Sequence, residues 1–231
     1  HTTVPGDPIQ VQIYTLSNGL KLFLSVNTDE PRIYTEIAVR AGSKHDPADT
    51  TGLAHYFEHM MFKGTDQLGS LNWDKEKPVL DRIEQLFEQH RSEQDADRKK
   101  VLYAEIDRLS FEAAGFAAAN EYDKLVSAMG ADGTNAYTWV EQTVYVNDIP
   151  SVELERWFSL ESERFRRPVL RLFHTELETV FEEYNISQDR DFRKTLKAMQ
   201  ESLTPTHPYG TQTTLGRGED LNNPSQTNIY R

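Results

Sequence analysis

Gly52–Thr65 reads GLAHYFEHMMFKGT. Wrapped on a helix at about 100° per residue, Leu53, Phe57, Met60 and Met61 gather on one side. His55 and His59 project from roughly the opposite side, with Glu58 at its margin. Such a helix offers an apolar face to a core and a separate face to a site, and Gly64 is its stop signal. His55 and His59 stand at i and i+4, one turn apart. Imidazoles at that spacing converge on one ion; catalytic zinc commonly takes three protein ligands and a water. Glu58 can reach that water as a general base. Two exposed helix histidines without metal are the competing reading.

Upstream, VQIYTLSNGLKLFLSV (11–26) is two β-rich runs around a Ser17-Asn18-Gly19 turn signal. In IYTEIAVRAG, Ile33, Thr35, Ile37 and Val39 share one parity, as a half-buried strand requires. Asp49, Thr50 and Thr51 are the N-cap candidates for the histidine helix. Downstream, apolar residues recur at helical spacing over 73–118, interrupted by the charged run HRSEQDADRKK, a solvated helix–helix corner. EYDKLVSAMG (121–130) is a short helix, and GTNAYTWVEQTVYVNDI (133–149) is rich in strand formers. One helix is predicted from Pro150 to about Arg167, and a longer one from about Leu172 to Ser202. The remaining tail is punctuated by Gly, Pro and Asn and reads as loop; Ser225 begins a further helix, so the chain reads as cut short. Strands, helices, strands and helices in that order give an α+β class: a mostly antiparallel sheet with helices packed on one face.

Composition removes several classes of function. Lys and Arg number 25 and Asp and Glu 37, a net charge of −12. A nucleic-acid groove needs the opposite sign. There is no cysteine, so disulfide scaffolds, thiol nucleophiles and Cys-ligated metals are excluded. No apolar run approaches the roughly 20 residues of a membrane-spanning helix. The opening HTTVPGDP has no signal-peptide core. Among the other histidines, His1, His45, His90 and His174 lack partner spacing, and His207 reads as structural.

H-x-x-E-H is the inverted zinc motif, and LAHYFEHMMFKGT closely resembles the pitrilysin (insulinase) family of zinc peptidases, processing-peptidase-like metallohydrolases. DGTNAYTWVEQTVY resembles that family's Asn-Ala-aromatic-Thr strand, ELETVFEEYN its distal Glu helix, and HPYGTQTTLGRGEDL its His-Pro-Tyr-Gly loop. These motifs follow in family order across about 11–230.

The resemblance implies one Zn2+ per chain, with the third ligand a Glu on a later helix and another Glu seven residues before it. Glu183 and Glu176 have that spacing. Both border the apolar side of their helix, whereas Glu182 points nearly opposite and Glu178 is intermediate. Glu183 is therefore the expected ligand, and Glu176 a catalytic-site carboxylate that orients the centre. Asn135, Ala136, Tyr137 and Thr138 are expected to form a sheet edge onto which a peptide adds as a strand.

The resemblance further implies a single catalytic domain over 1–231, hydrolysing peptides or unfolded polypeptide. A homologous second half, in the same chain or another subunit, would be needed for full activity. His59 and Glu183 are 183 − 59 = 124 positions apart, longer than is usual in the family, and a helical hairpin insertion at about 72–118 accounts for it. The alternative is a half that only binds substrate or builds a complex. The acidic charge and missing cysteine point to a bacterial envelope.

Overall fold

The computed structural model describes residues 1–230. Strands β1 (Thr2–Thr3), β2 (Gln12–Thr15) and β3 (Lys21–Leu24) form an antiparallel sheet in that order. The Asn18-Gly19 signal makes the β2–β3 turn, with Gly19 at φ 88° and Ile13 facing Phe23. Strands β4 (Arg32–Val39), β5 (Asp132–Thr138) and β6 (Thr143–Pro150) form a second antiparallel sheet, order β4–β6–β5. The fold is α+β, but its strands lie in two sheets rather than one. Residues 25–31, SVNTDEP, carry the chain away from β3 without a ladder partner, and Pro31 cannot donate to one.

Central β6 is buried along most of its length, and β5 leaves one edge open. In β4 the parity expected to face inward does so, with Thr35 buried and Tyr34 and Glu36 exposed.

Helix α1 (Leu53–Met60) carries the two histidines. None of the three expected N-cap residues caps it. Gly52 holds the N-cap position at φ 89°, and Asp46 accepts hydrogen bonds from Gly52 N at 2.7 Å and Ala54 N at 2.9 Å. The threonines are engaged elsewhere: Thr51 Oγ1 donates to Asp220 at 2.6 Å, and Thr50 Oγ1 accepts from Asn228 at 3.0 Å. Gly52 is also forced by proximity, because a Cβ there would stand 3.0 Å from Leu215 O.

Helices α2 (Trp73–Ser92) and α3 (Ala96–Ala114) make the hairpin expected over 72–118. Asn72 caps α2 through Lys75 N, and Asp95 caps α3. Helix α4 (Glu121–Ala128) precedes β5, and α5 (Leu154–Arg166) follows β6 after a single 3₁₀ turn.

The predicted long helix from Leu172 to Ser202 is two helices, α6 (Phe173–Gln188) and α7 (Asp191–Leu203). Arg190 is extended at ψ 112° between them. The run Gln188-Asp189-Arg190-Asp191 gives a continuous helix no apolar residue to bury, so nothing holds the chain straight. The tail expected as loop contains three single-turn helices, α8 (Pro208–Thr211), α9 (Gly218–Leu221) and α10 (Gln226–Ile229), the last capped by Ser225.

Two apolar cores result. Tyr56 and Met60 of α1 pack with Leu86, Phe87, Ile106 and Val180, joining α1 to the hairpin and to α6. Tyr122, Val126, Ile149, Trp157 and Leu160 fill the space between the second sheet and α4 and α5. The Tyr56 hydroxyl donates to Phe173 O at 2.5 Å, which fixes α1 against the start of α6.

Arg171, just before α6, is almost wholly buried against Glu76 of α2, with contacts of 2.5 and 3.0 Å. Its remaining donors reach the carbonyls of Lys63, Leu68 and Thr65.

Candidate metal centre

The apolar face of α1 is buried, so its other face looks into a cavity of about 510 Å³ between the β5 edge and α6. His55, Glu58, His59, Glu176 and Glu183 all line it, as do Asn135, Ala136, Tyr137 and Thr138. The fold thus brings together every residue singled out in the sequence. Glu178 and Glu182 are exposed and do not line it.

His55 Nε2 and His59 Nε2 are 3.3 Å apart. Glu183 Oε2 is 3.4 Å from the first and 3.7 Å from the second. A tetrahedral ion with bonds of about 2.0–2.1 Å holds its ligand atoms about 3.3–3.4 Å apart. Two imidazole nitrogens and one carboxylate oxygen at these separations fit zinc, with a fourth position open to the cavity. Among the described residues this is the one group of three such side chains close enough to share an ion.

The supporting contacts set the protonation of each group. His59 Nδ1 meets Glu176 Oε1 at 2.8 Å, so the ring proton belongs there and the Nε2 lone pair faces the centre. Burial opposes charge on His59 but is outweighed by the Glu176 hydrogen bond and the charges of Glu183, Glu176 and Glu58, so its pKa is raised. Glu176 is lowered: burial alone would raise it, but His59 and Lys63 prevail. Burial first, then the neighbouring His59, pushes His55 down to about 4, keeping it neutral near pH 7. Its Nδ1 is buried without a hydrogen-bond partner among the described residues.

Glu58 is 7% exposed, and burial raises its pKa against the Thr138 hydrogen bond. Thr138 Oγ1 donates to Glu58 Oε2 at 2.5 Å and lies 3.3 Å from Thr143 Oγ1. Thr143 Oγ1 donates to Ala41 O at 3.0 Å. A buried carboxylate held by one hydroxyl, with its proton affinity raised toward neutrality, suits proton transfer.

Two participants escaped the sequence reading, and a third was given a different role. Lys63 Nζ lies 2.6 Å from Glu176 Oε2; its place three residues beyond the first apolar turn-end of α1 carried no signal. Asp46 caps α1 from eight residues before Ala54, beyond any local capping pattern. Thr138 was singled out for the substrate edge, yet its hydroxyl serves Glu58. His207, read as structural, caps α8 through Tyr209 N at 3.2 Å.

Residues 22–76 match the insulinase family, Peptidase family M16. A probable zinc protease PqqL of Haemophilus influenzae is 34% identical over 87 residues, 37% of this chain and 9% of that protein. Human insulin-degrading enzyme is 34% identical over 64 residues, 28% of this chain and 6% of that enzyme. The periplasmic protease PqqL of Escherichia coli superposes with a TM-score of 0.69 at 17% identity, over 99% of this chain and 21% of that one. A Helicobacter pylori protease superposes with a TM-score of 0.65 at 20% identity, over 95% of this chain and 42% of that one. The chain therefore spans about a fifth to two fifths of these two structures. Residues 22–76 thus match the insulinase family, and over nearly its whole length the chain has the fold of the E. coli protease.

Proposed function

We propose that this chain is the zinc-bearing domain of an endopeptidase acting on peptides or unfolded segments. The observation that carries the reading is the 3.3–3.7 Å triangle of His55, His59 and Glu183 with Glu58 beside it. Zinc held there would supply an acidified water and a Lewis acid for the scissile carbonyl. Glu58 accepts the proton of the attacking water and returns it to the leaving amine. Thr138 keeps the Glu58 carboxylate aimed at the cavity. Glu176 fixes the His59 tautomer, and Lys63 holds Glu176. The free edge of β5 takes the substrate backbone as an added strand, which gives affinity without fixing sequence.

Full activity requires the rest of a longer peptidase, a homologous second half included, to close the open cavity; the chain covers 40% of the first half of E. coli PqqL and 21% of the whole. The same neighbour is described as periplasmic, and a chain without cysteine and with net charge −12 suits the bacterial envelope.

The test is elemental analysis of the dialysed chain beside two variants. About one zinc per chain is expected in the wild type and in Glu58→Gln, with loss in Glu183→Gln. With the second half supplied in trans, Glu58→Gln should not turn over. Absence of zinc even after reloading overturns the proposal and favours a substrate-binding or scaffold half, and peptidase activity in Glu58→Gln overturns the assignment of Glu58 as general base.

A further inference from the structure

A second cavity, of about 90 Å³, lies between α7 and the 212–216 loop. It adjoins the metal cavity: Trp139, Arg193, Thr214 and Leu215 line both. The β5 strand ends at Thr138, and the next residue, Trp139, stands at the junction. An extended peptide lying on the β5 edge beside Glu58 therefore runs toward this smaller cavity within a few residues, at about 3.3 Å per residue.

The charge of this space is opposite to that of the molecule. In a chain of net charge −12 its lining includes Arg193, Lys194 and Lys197 and no Asp or Glu. Arg193 has no carboxylate within 4 Å among the described residues. Lys194 and Lys197 reach Asp191 and Glu201 only at 3.8 and 3.9 Å, with Asp191 fully exposed. Solvated pairs of that kind contribute little, so the three cations are not neutralised. Arg193 and Lys197 also stand at i and i+4 on one helix, where like charges repel. Tyr209 and the exposed indole of Trp139 also line this cavity, the Tyr209 hydroxyl being engaged by Glu141, which itself lies outside the lining.

We infer that this cavity is a carboxylate-accepting subsite of the substrate groove, with Arg193 at its junction with the metal centre. The inference rests on the peptidase reading and gives it a substrate class: peptides bearing an acidic group a fixed, short distance from the scissile bond. The volume admits one side chain, or one chain end, rather than a folded surface. The carboxylate can come from an Asp or Glu side chain or from the substrate's own C-terminus.

The experiment uses the Glu58→Gln chain and fluorescein-labelled decapeptides of Ala, Ser and Tyr with blocked ends. A single Glu is moved through each position, with Gln at the same position as control. One peptide with a free C-terminal carboxylate is compared with its amide. Fluorescence anisotropy should show Glu bound tighter than Gln by roughly fivefold to tenfold in one or two adjacent registers, the range for a charge-assisted bond partly open to water. The preference should shrink with added salt. It should vanish in Arg193→Gln/Lys197→Gln, with Glu and Gln peptides then bound equally. A gain confined to the free C-terminus identifies chain-end capture; a gain from internal Glu identifies side-chain recognition. Equal affinity for Glu and Gln at every position, and for acid and amide ends, overturns the subsite, as does a preference that survives the double variant. Zinc content, measured on the same samples, separates failure of the peptidase reading from failure of the subsite.

Discussion

Lys63 Nζ lies 2.6 Å from Glu176 Oε2, the oxygen that Glu176 does not present to His59. One ammonium thus sets the orientation of a carboxylate, and the carboxylate sets the tautomer of a candidate ligand. Removing such outer partners typically costs about 10–100-fold in metal affinity. Lys63→Met should therefore weaken zinc binding by roughly tenfold, and Lys63→Arg should restore most of it. A competition titration with a chelator of known affinity measures both. Equal affinity in all three proteins would remove Lys63 from the centre.

The Thr138–Glu58 hydrogen bond should be visible as a proton affinity. A hydroxyl that donates to a carboxylate favours its ionised form. Thr138→Val removes that donor, so Glu58 should titrate higher still. Carbon-13 NMR of the labelled, metal-free chain follows this carboxyl directly. An unchanged or lower midpoint would mean that the bond does not act on Glu58.

Asp46 and His55 give the metal-free chain opposing pH dependences over one window. Burial pushes the Asp46 carboxyl from 3.8 up to about 6, against the hydrogen bonds from Ala54 and Gly52. The unfolded chain holds this proton less tightly, so the contribution is lost as pH rises from 3.8 through about 6. Burial pushes His55 from 6.5 down to about 4. There the unfolded chain holds the proton more tightly, so stability is gained as pH rises from 4 to 6.5. Each is worth on the order of 3 kcal/mol at about 1.4 kcal/mol per pH unit of separation. The two nearly cancel in the wild type. Relative to it, Asp46→Asn should gain stability with rising pH across the window, and His55→Gln should lose it. Urea denaturation at several pH values decides; parallel curves for the three chains would contradict the assignment.

The Arg171–Glu76 pair should be a large single contributor to stability. Both side chains are almost inaccessible, and Arg171 satisfies three backbone carbonyls besides. Breaking a buried pair from one side strands the other charge and costs about 3–5 kcal/mol. Arg171→Met should thus lower the melting temperature sharply. Glu76→Leu/Arg171→Met together should recover part of the loss, because no lone charge then stays buried. A small effect of the single variant, seen by calorimetry, would refute this.

What the sequence made legible was what repeats at short range. The i, i+4 histidines, the Asn18-Gly19 turn and the alternation of β4 all obey local rules, and each stands where those rules put it. Glu176 and Glu183 border the buried side of α6 as the helical wheel placed them. Contacts that span the chain were invisible: Asp46 to Ala54, Lys63 to Glu176 and Arg171 to Glu76 each join elements whose meeting depends on tertiary packing. The break at Arg190 was missed for a related reason. Helix-forming residues run on either side of it, and the polar run Gln188–Asp191 marks the break only once α6 is seen to bury one face.

The clamp at Arg171 also says where the hairpin can be re-engineered. Its first turn supplies Glu76, whose carboxylate holds the arginine that ties down the Lys63 carbonyl. Excision at the natural-looking junction near Asn72 would therefore withdraw an anchor from the loop that follows the histidine helix. The far end is different: residues 93–95 join α2 to α3 at the solvent-facing tip, with Asp95 exposed. A reporter or an affinity handle belongs at that tip, whose residues do not line the metal cavity.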